Sequence, residues 1–210
     1  MIELLDEKYY AEPLSDKEVF TKIWRNPRKV FEFIHQTSYE KYMIPLMILS
    51  GIAKNLDKVN NESRFLILVI IIAGGGLVGW LGFYFYSAFI SWTGYLLKGK
   101  ASAREIVRVL AYSSIPTMIT IVTILIQILF FRNFNFSTEN LFGINSDFTI
   151  NIPTLFLQLV NLTLGIWSIV LSVVGISVVQ DFSPGKAILN LILPILILAV
   201  IFAPFVFLIV

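Results

Sequence analysis

Four stretches of this chain contain no Asp, Glu, Lys, Arg or His: Phe65–Leu97, Val109–Phe131, Phe148–Gln180 and Ala187–Val210, together more than half of its 210 residues. A hydrocarbon core about 30 Å thick needs roughly 20 residues of helix at 1.5 Å each, so every stretch is long enough to span. The chain therefore reads as an all-α, multi-pass integral membrane protein. Its 57% hydrophobic and 14% charged residues set it apart from soluble domains, which run at roughly 45–50% and about 25%. Soluble enzymes, nucleic-acid binders and disulfide scaffolds are excluded at this level. The absence of Cys removes thiolate metal sites, iron–sulfur clusters and cysteine nucleophiles as well.

Charge concentrates at the start of the chain: residues 1–41 hold 7 of the 16 basic and 8 of the 14 acidic residues, so this segment is solvated and does not span. It has neither the basic start nor the apolar run of a signal peptide, and is expected to be retained. Residues 1–14 read as a flexible tail. Residues 15–41 read as amphipathic, interfacial helices. Ser15 with Glu18 fits a capping box, Val19, Phe20, Ile23 and Trp24 follow at helical spacing, and Asn26-Pro27 opens a second helix. Val30, Phe31, Phe33 and Ile34 give that helix an apolar side, and Arg28 and Lys29 a basic one. Basic amphipathic helices with Trp and Phe lie in the headgroup plane; packing of the same face on the bundle is the alternative.

Basic residues also set the topology. Lys98, Lys100, Arg104 and Arg108 cluster after the second apolar stretch, whereas Arg132 stands alone after the third. The positive-inside rule then places loop 98–108 in the cytoplasm and loop 133–152 outside. With the N-terminal segment also inside, an even number of crossings must precede loop 98–108, which makes the short apolar segment Tyr42–Ala53 a span, whereas its 12 residues alone, and the three basic residues of the 54–64 loop this puts outside, suit a re-entrant or interfacial piece. The expected membrane domain, 42–210, is a five-transmembrane-helix bundle with approximate spans 42–56, 70–97, 109–131, 153–179 and 187–210. Gly74-Gly75-Gly76 offers a bend in the long second span.

The spans hold no ionisable group except at their edges. Intramembrane aspartyl, zinc and serine proteases, bis-histidine haem and proton-coupled carriers all need such groups. No enzymatic activity, cofactor or metal is therefore expected. Gly75, Gly79 and Gly82, the pair Ser87 and Ser91, and Ser168, Ser172 and Gly175 have the small-residue spacing of close helix packing. Gln127, Gln158 and Asn161 are costly in lipid and should face inward, bonding across helices or forming a polar midplane row.

Four motifs carry a likeness to a known family. They are Ile23-Trp24-x-Asn26-Pro27-x-x-x-Phe31-x-Phe33-Ile34; Lys98-Gly99-Lys100-Ala101 with Arg104-Glu105; Ala111-Tyr112-Ser113-Ser114-Ile115-Pro116; and Ile166-Trp167-Ser168 through Gly175 to Phe182-Ser183-x-Gly185-Lys186-Ala187. In order and spacing they resemble the Yip-domain family, five-span proteins named for interacting with Ypt/Rab GTPases. The structural positions of that likeness are Pro27, Gly99, Tyr112, Pro116, Trp167, Gly175 and Ser183. Two departures stand out: Leu97 and Lys98 occupy a place where an extra Gly is common, and Gln180 stands where His is frequent. Each motif also has a plain physical reading. Pro116 loosens the first turns of its helix, Tyr112 and Trp167 suit interface anchoring, and the basic loop touches anionic headgroups.

The resemblance implies partner binding, in eukaryotic members during vesicle traffic between endoplasmic reticulum and Golgi. The short external loops, the many Ile, Asn and Phe residues and the minimal tail read as prokaryotic, which implies the bacterial inner membrane, a cytoplasmic N-terminus and no Rab partner. The expected function is non-enzymatic: binding membrane lipids or a protein partner at the cytoplasmic face, and organising or shaping the membrane, with homo-oligomers in scope and no nucleic acid. The candidate surface is Trp24, Arg25, Arg28, Lys29, Lys98, Lys100, Arg104, Arg108 and Lys186. The alternative is a small permease or lipid transporter using Gln127, Gln158 and Asn161.

Overall fold

The computed structural model describes residues 13–56, 65–131 and 152–209. The tail expected for residues 1–14 falls outside it as far as Glu12, as do 57–64 and 132–151, which take in Arg132 and most of both expected external loops; Gln127 is described in its backbone only. Among the described residues there are eight helices and no strand: α1 Asp16–Lys22, α2 Pro27–Gln36, α3 Met43–Leu56, α4 Phe65–Leu96, α5 Ala103–Ser113, α6 Ile115–Phe131, α7 Ile152–Gln180 and α8 Pro184–Ile209.

Local sequence explains their boundaries. The capping box closes as the spacing predicts: Glu18 Oε2 accepts the Ser15 N–H at 2.9 Å and Ser15 Oγ accepts the Glu18 N–H. Pro27 occupies the first position of α2, where a missing N–H costs nothing. Four apolar windows are long enough to cross a membrane: Ile72–Leu96, Ala103–Ile126, Leu155–Gln180 and Pro184–Pro204; Met43–Asn55 is a shorter apolar helix. Only 17% of the window in α4 and 17% of that in α8 is buried by protein, and large apolar side chains such as Leu77, Phe85, Ile195 and Val200 point outward. In water such surface would be untenable; in lipid it is the required exterior.

The chain forms two compact units. One comprises residues 1–41, 84–110 and 171–210. In it Val30, Phe31, Phe33 and Ile34, the apolar side of α2, are buried in protein, which leaves that face no contact with lipid. Gly175 lets α7 approach closely: a Cβ there would run into Val109 and stand 3.1 Å from the Phe31 ring. Tyr86 donates to the Leu191 carbonyl at 2.7 Å, in the turn of α8 preceding Pro194, where the missing proline N–H loosens backbone bonding.

The second unit comprises residues 42–83 and 111–170. Here α3 packs against α6, and its Gly51 meets α4 so closely that a Cβ would stand 2.8 Å from Gly79 Cα. The glycine run at 74–76 does not break α4, which is helical from Phe65 to Leu96; Gly75 and Gly79 serve contact with α3 instead.

The helix expected as one span over 109–131 begins earlier, at Ala103, and is divided at Ser114, just before Pro116. Proline there cannot donate to the preceding turn, so carbonyls need other partners. Hydroxyls supply them: Ser114 Oγ donates to Ala111 O at 2.7 Å, Thr117 Oγ1 to Ser114 O at 2.7 Å, and Ser168 Oγ of α7 to Ser113 O at 2.6 Å. Tyr112, expected as an interface anchor, is fully buried and its hydroxyl accepts the Tyr42 N–H. The Trp167 indole nitrogen is buried too.

Candidate functional site

Two polar constructions in the first unit fix the N-terminal helices and the interhelical turns. The first is a carboxylate fork. Arg104 presents Nε and Nη2 to the two Glu40 oxygens at 2.8 and 2.7 Å, a bidentate pair. Arg108, one turn further along α5, is buried; its Nη1 donates to the Ile34 carbonyl at 3.3 Å and its Nε stands 3.4 Å from Glu40 Oε1. The hydrogen bond from Arg104, with the charges of both guanidiniums, holds the Glu40 carboxyl below the usual carboxylate range. Beside it His35 Nδ1 lies 3.0 Å from Glu105 Oε1. These contacts bind the end of α2 to α5 and explain why two of the expected surface cations are structural: Arg108 is inside, and Arg104 is committed to Glu40.

The second is a buried amide network. Gln180 Oε1 accepts the Ala101 N–H at 3.0 Å, and its Nε2 lies 3.4 Å from Asn190 Oδ1. Asn190 Nδ2 donates to Ile90 O at 3.0 Å and to Thr93 Oγ1 at 2.8 Å. Helices α2, α4 and α7 end alike. At Ser38, Lys98 and Asp181 the backbone is left-handed (φ 51°, 67° and 58°), and the next N–H bonds back five residues, as from Gly99 to Gly94 O at 2.8 Å. These are Schellman turns with a non-glycine residue at the left-handed position. Lys98 thus stands where glycine is easiest, which gives the sequence departure at this place its geometry. Gly99, one residue on, is required for space: a Cβ would lie 2.7 Å from Phe182 and 2.8 Å from Gln180 Cδ.

Of the remaining candidate cations, Lys100 pairs with Asp181 at 3.0 Å across an exposed surface. Lys186 lies 5.9 Å from the Phe182 ring centre. Arg25 and Lys98 are exposed. Arg28 pairs with Glu32, and Trp24 and Lys29 are half-buried. In the second unit Asn161 Oδ1 accepts the Thr123 hydroxyl at 2.7 Å, so this polar span residue joins α7 to α6; Gln158 is half-buried on α7. Among the described residues no group of three His, Cys, Asp or Glu could hold a metal.

Sequence reasoning missed the roles of Glu40, Thr93 and Asn190. For Asn190 a signal was present: it is the one amide in the apolar stretch Ala187–Val210, and such a group in a membrane helix must find a partner. Glu40 carried no local signal, because its partners are more than sixty residues away.

The family model for the Yip1 domain matches residues 21–205, from the helices that frame the fork through most of α8. The chain belongs to the Yip1 domain family. The matched range takes in both polar constructions, so the fork and the amide network lie inside the Yip1 domain itself. No curated protein and no solved structure matches the chain.

Proposed function

We propose that this Yip1 domain is a non-enzymatic five-span protein that binds anionic lipid or a protein partner through a cytoplasmic face, and organises the membrane there. The observation that carries the reading is the fork at Glu40. It fastens the N-terminal helices to α5, so the cations of the N-terminal segment and of the 98–104 turn belong to one built unit. Arg25, Arg28, Lys98, Lys100 and Lys186 stand exposed on it. Met43–Asn55 acts as the fifth crossing, with Lys41 just before it and Lys54 in its last turn, positions from which lysine side chains snorkel to the interface. This puts the N-terminus and the 98–108 segment on the side where the basic residues are densest.

Purified protein reconstituted in vesicles tests the reading. Anionic vesicles should compete for, or a partner should be retained by, the native chain. Charge reversal at Arg25, Arg28, Lys98 and Lys100 together should weaken that binding strongly, since each cation near an anionic surface contributes about 1 kcal/mol. Binding that survives the fourfold reversal unchanged overturns the proposal.

A further inference from the structure

A cleft of about 580 Å3 opens beside the start of α2, within the range of about 300–1,000 Å3 typical of small-molecule sites. Three cations line it: Arg25, Arg28 and Lys29, against one carboxylate, Glu32. Arg28 Nε donates to Glu32 Oε1 at 3.0 Å, which uses one of its five N–H groups. The Arg25 guanidinium is exposed and makes no hydrogen bond or ion pair among the described residues. Asn26, also in the lining, makes no side-chain cap to α2 and keeps its amide available.

The rest of the lining is different in kind. Val174 and Ser177 come from the last turns of α7, and Pro184 is the first residue of α8. Both helices carry apolar windows of membrane-spanning length, Leu155–Gln180 and Pro184–Pro204, and these meet at the elbow that walls the cleft. With both apolar windows acting as spans, the cleft falls at their ends, where hydrocarbon gives way to headgroups, and its lining joins the cations of the α2 start to Val174 and Pro184.

From this juxtaposition we infer that the cleft is a binding site for the phosphate of an anionic phospholipid headgroup, the Arg25, Arg28 and Lys29 cations taking the phosphate and Val174 and Pro184 the glycerol and first acyl carbons. Guanidinium groups match phosphate oxygens in geometry and charge. A soluble phosphate compound would use the cations but not the apolar wall. The inference rests on the proposed lipid-binding face and gives it one site.

Native mass spectrometry of the full chain in a neutral detergent, titrated with phosphatidylglycerol and separately with phosphatidylcholine, tests the site. One phosphatidylglycerol should bind more tightly than any further copy and in preference to phosphatidylcholine. Arg25→Gln, at an exposed side chain, should weaken that first copy about fivefold. Ser177→Trp, which fills the cleft without changing charge, should abolish it, and Lys17→Gln, at an exposed cation outside the cleft lining, should leave it nearly intact. Equal weakening by Arg25→Gln and Lys17→Gln, with Ser177→Trp silent, overturns the site while leaving the lipid-binding face standing. Loss of all preference for phosphatidylglycerol in the native chain overturns both. Displacement of the lipid by glycerol phosphate or inorganic phosphate at equal concentration overturns the lipid assignment. Should Ser177→Trp fail to fold, the contrast between Arg25→Gln and Lys17→Gln decides alone.

Discussion

Gln180 Oε1 accepts the Ala101 N–H at 3.0 Å, and the same amide lies against Gly99, so one side chain both bonds to the α4–α5 turn and excludes any larger residue from it. Replacing Gly99 by Ala forces a Cβ against Gln180 and Phe182 and should cost about 2 kcal/mol. Gln180→Ala should cost about as much, because the Ala101 N–H and Asn190 are left without their partner in a buried place. The double variant should lose clearly less than the sum of the two, since the smaller side chain makes room for the new methyl. Unfolding in mixed micelles under rising SDS measures all four corners of the cycle. Strict additivity would show that the two residues do not share this space.

Lys98 and Asp181 make the opposite prediction within the same pair of turns. Both hold left-handed backbone, at φ 67° and 58°, a conformation that costs a residue with a Cβ about 1–2 kcal/mol. Glycine removes that cost and adds about 0.5–1 kcal/mol of unfolded-chain entropy. Lys98→Gly should thus be neutral to stabilising by up to about 1 kcal/mol, while Lys98→Val should destabilise. The loss of the exposed Lys100–Asp181 pair in Asp181→Gly changes little, exposed pairs being worth about 0–1 kcal/mol. A thermal scan in detergent that found Lys98→Gly markedly less stable would contradict the strain.

The pH dependence follows from two carboxylates outside the spans. Glu18 is held at about 2 by the Lys22 hydrogen bond and the Ser15 backbone and hydroxyl bonds. Glu40 is lowered by its Arg104 hydrogen bond and the Arg104 and Arg108 charges, against a desolvation that raises it. A carboxyl lowered on folding stabilises the fold fully above its ordinary value of 4.5, and that contribution drains away as pH falls through the folded value. These two groups should therefore add no slope between pH 5 and 7 and should loosen the α1–α2 segment between about pH 4.5 and 2. Trp24 fluorescence on acid titration follows that segment. Glu40→Gln should cost about 2 kcal/mol at pH 7, where Arg108 is left buried without its carboxylate, and should flatten the acid limb.

Much of this architecture was open to reading from the chain, and the exceptions have physical causes. Charge-free runs mark α4, α6, α7 and α8 because lipid admits few charges, and Ser15–Glu18 and Pro27 mark helix starts because those signals are local. The first turns of α5 escaped because Arg104, Glu105 and Arg108 interrupt the apolar pattern, and their reason for being there, Glu40 and the Ile34 carbonyl, is distant in sequence. The candidate surface was legible in kind but not in occupancy. Nothing adjacent in sequence distinguishes Arg108, which is buried, from Arg25, which is exposed. Gly74–Gly76 likewise permits a bend or a close approach, and only the presence of Gly51 opposite Gly79 selects the second.

That crossing gives a direct comparison between glycines of one helix. A Cβ on Gly79 would collide with the Gly51 backbone, whereas one on Gly82 would meet nothing within 4 Å among the described residues. Backbone cannot move aside as a side-chain tip can, so Gly79→Ala must part α3 from α4 and should cost about 2–3 kcal/mol. Gly82→Ala should be neutral or stabilising by up to about 1 kcal/mol, through helix propensity alone. Because α3 is the short apolar helix, separation at Gly79 should also raise the reactivity of a cysteine placed at Ile52, which lies beside Gly76 of α4, toward a membrane-permeant thiol reagent. Equal stability of the two alanine variants would mean that α3 and α4 do not cross at these glycines.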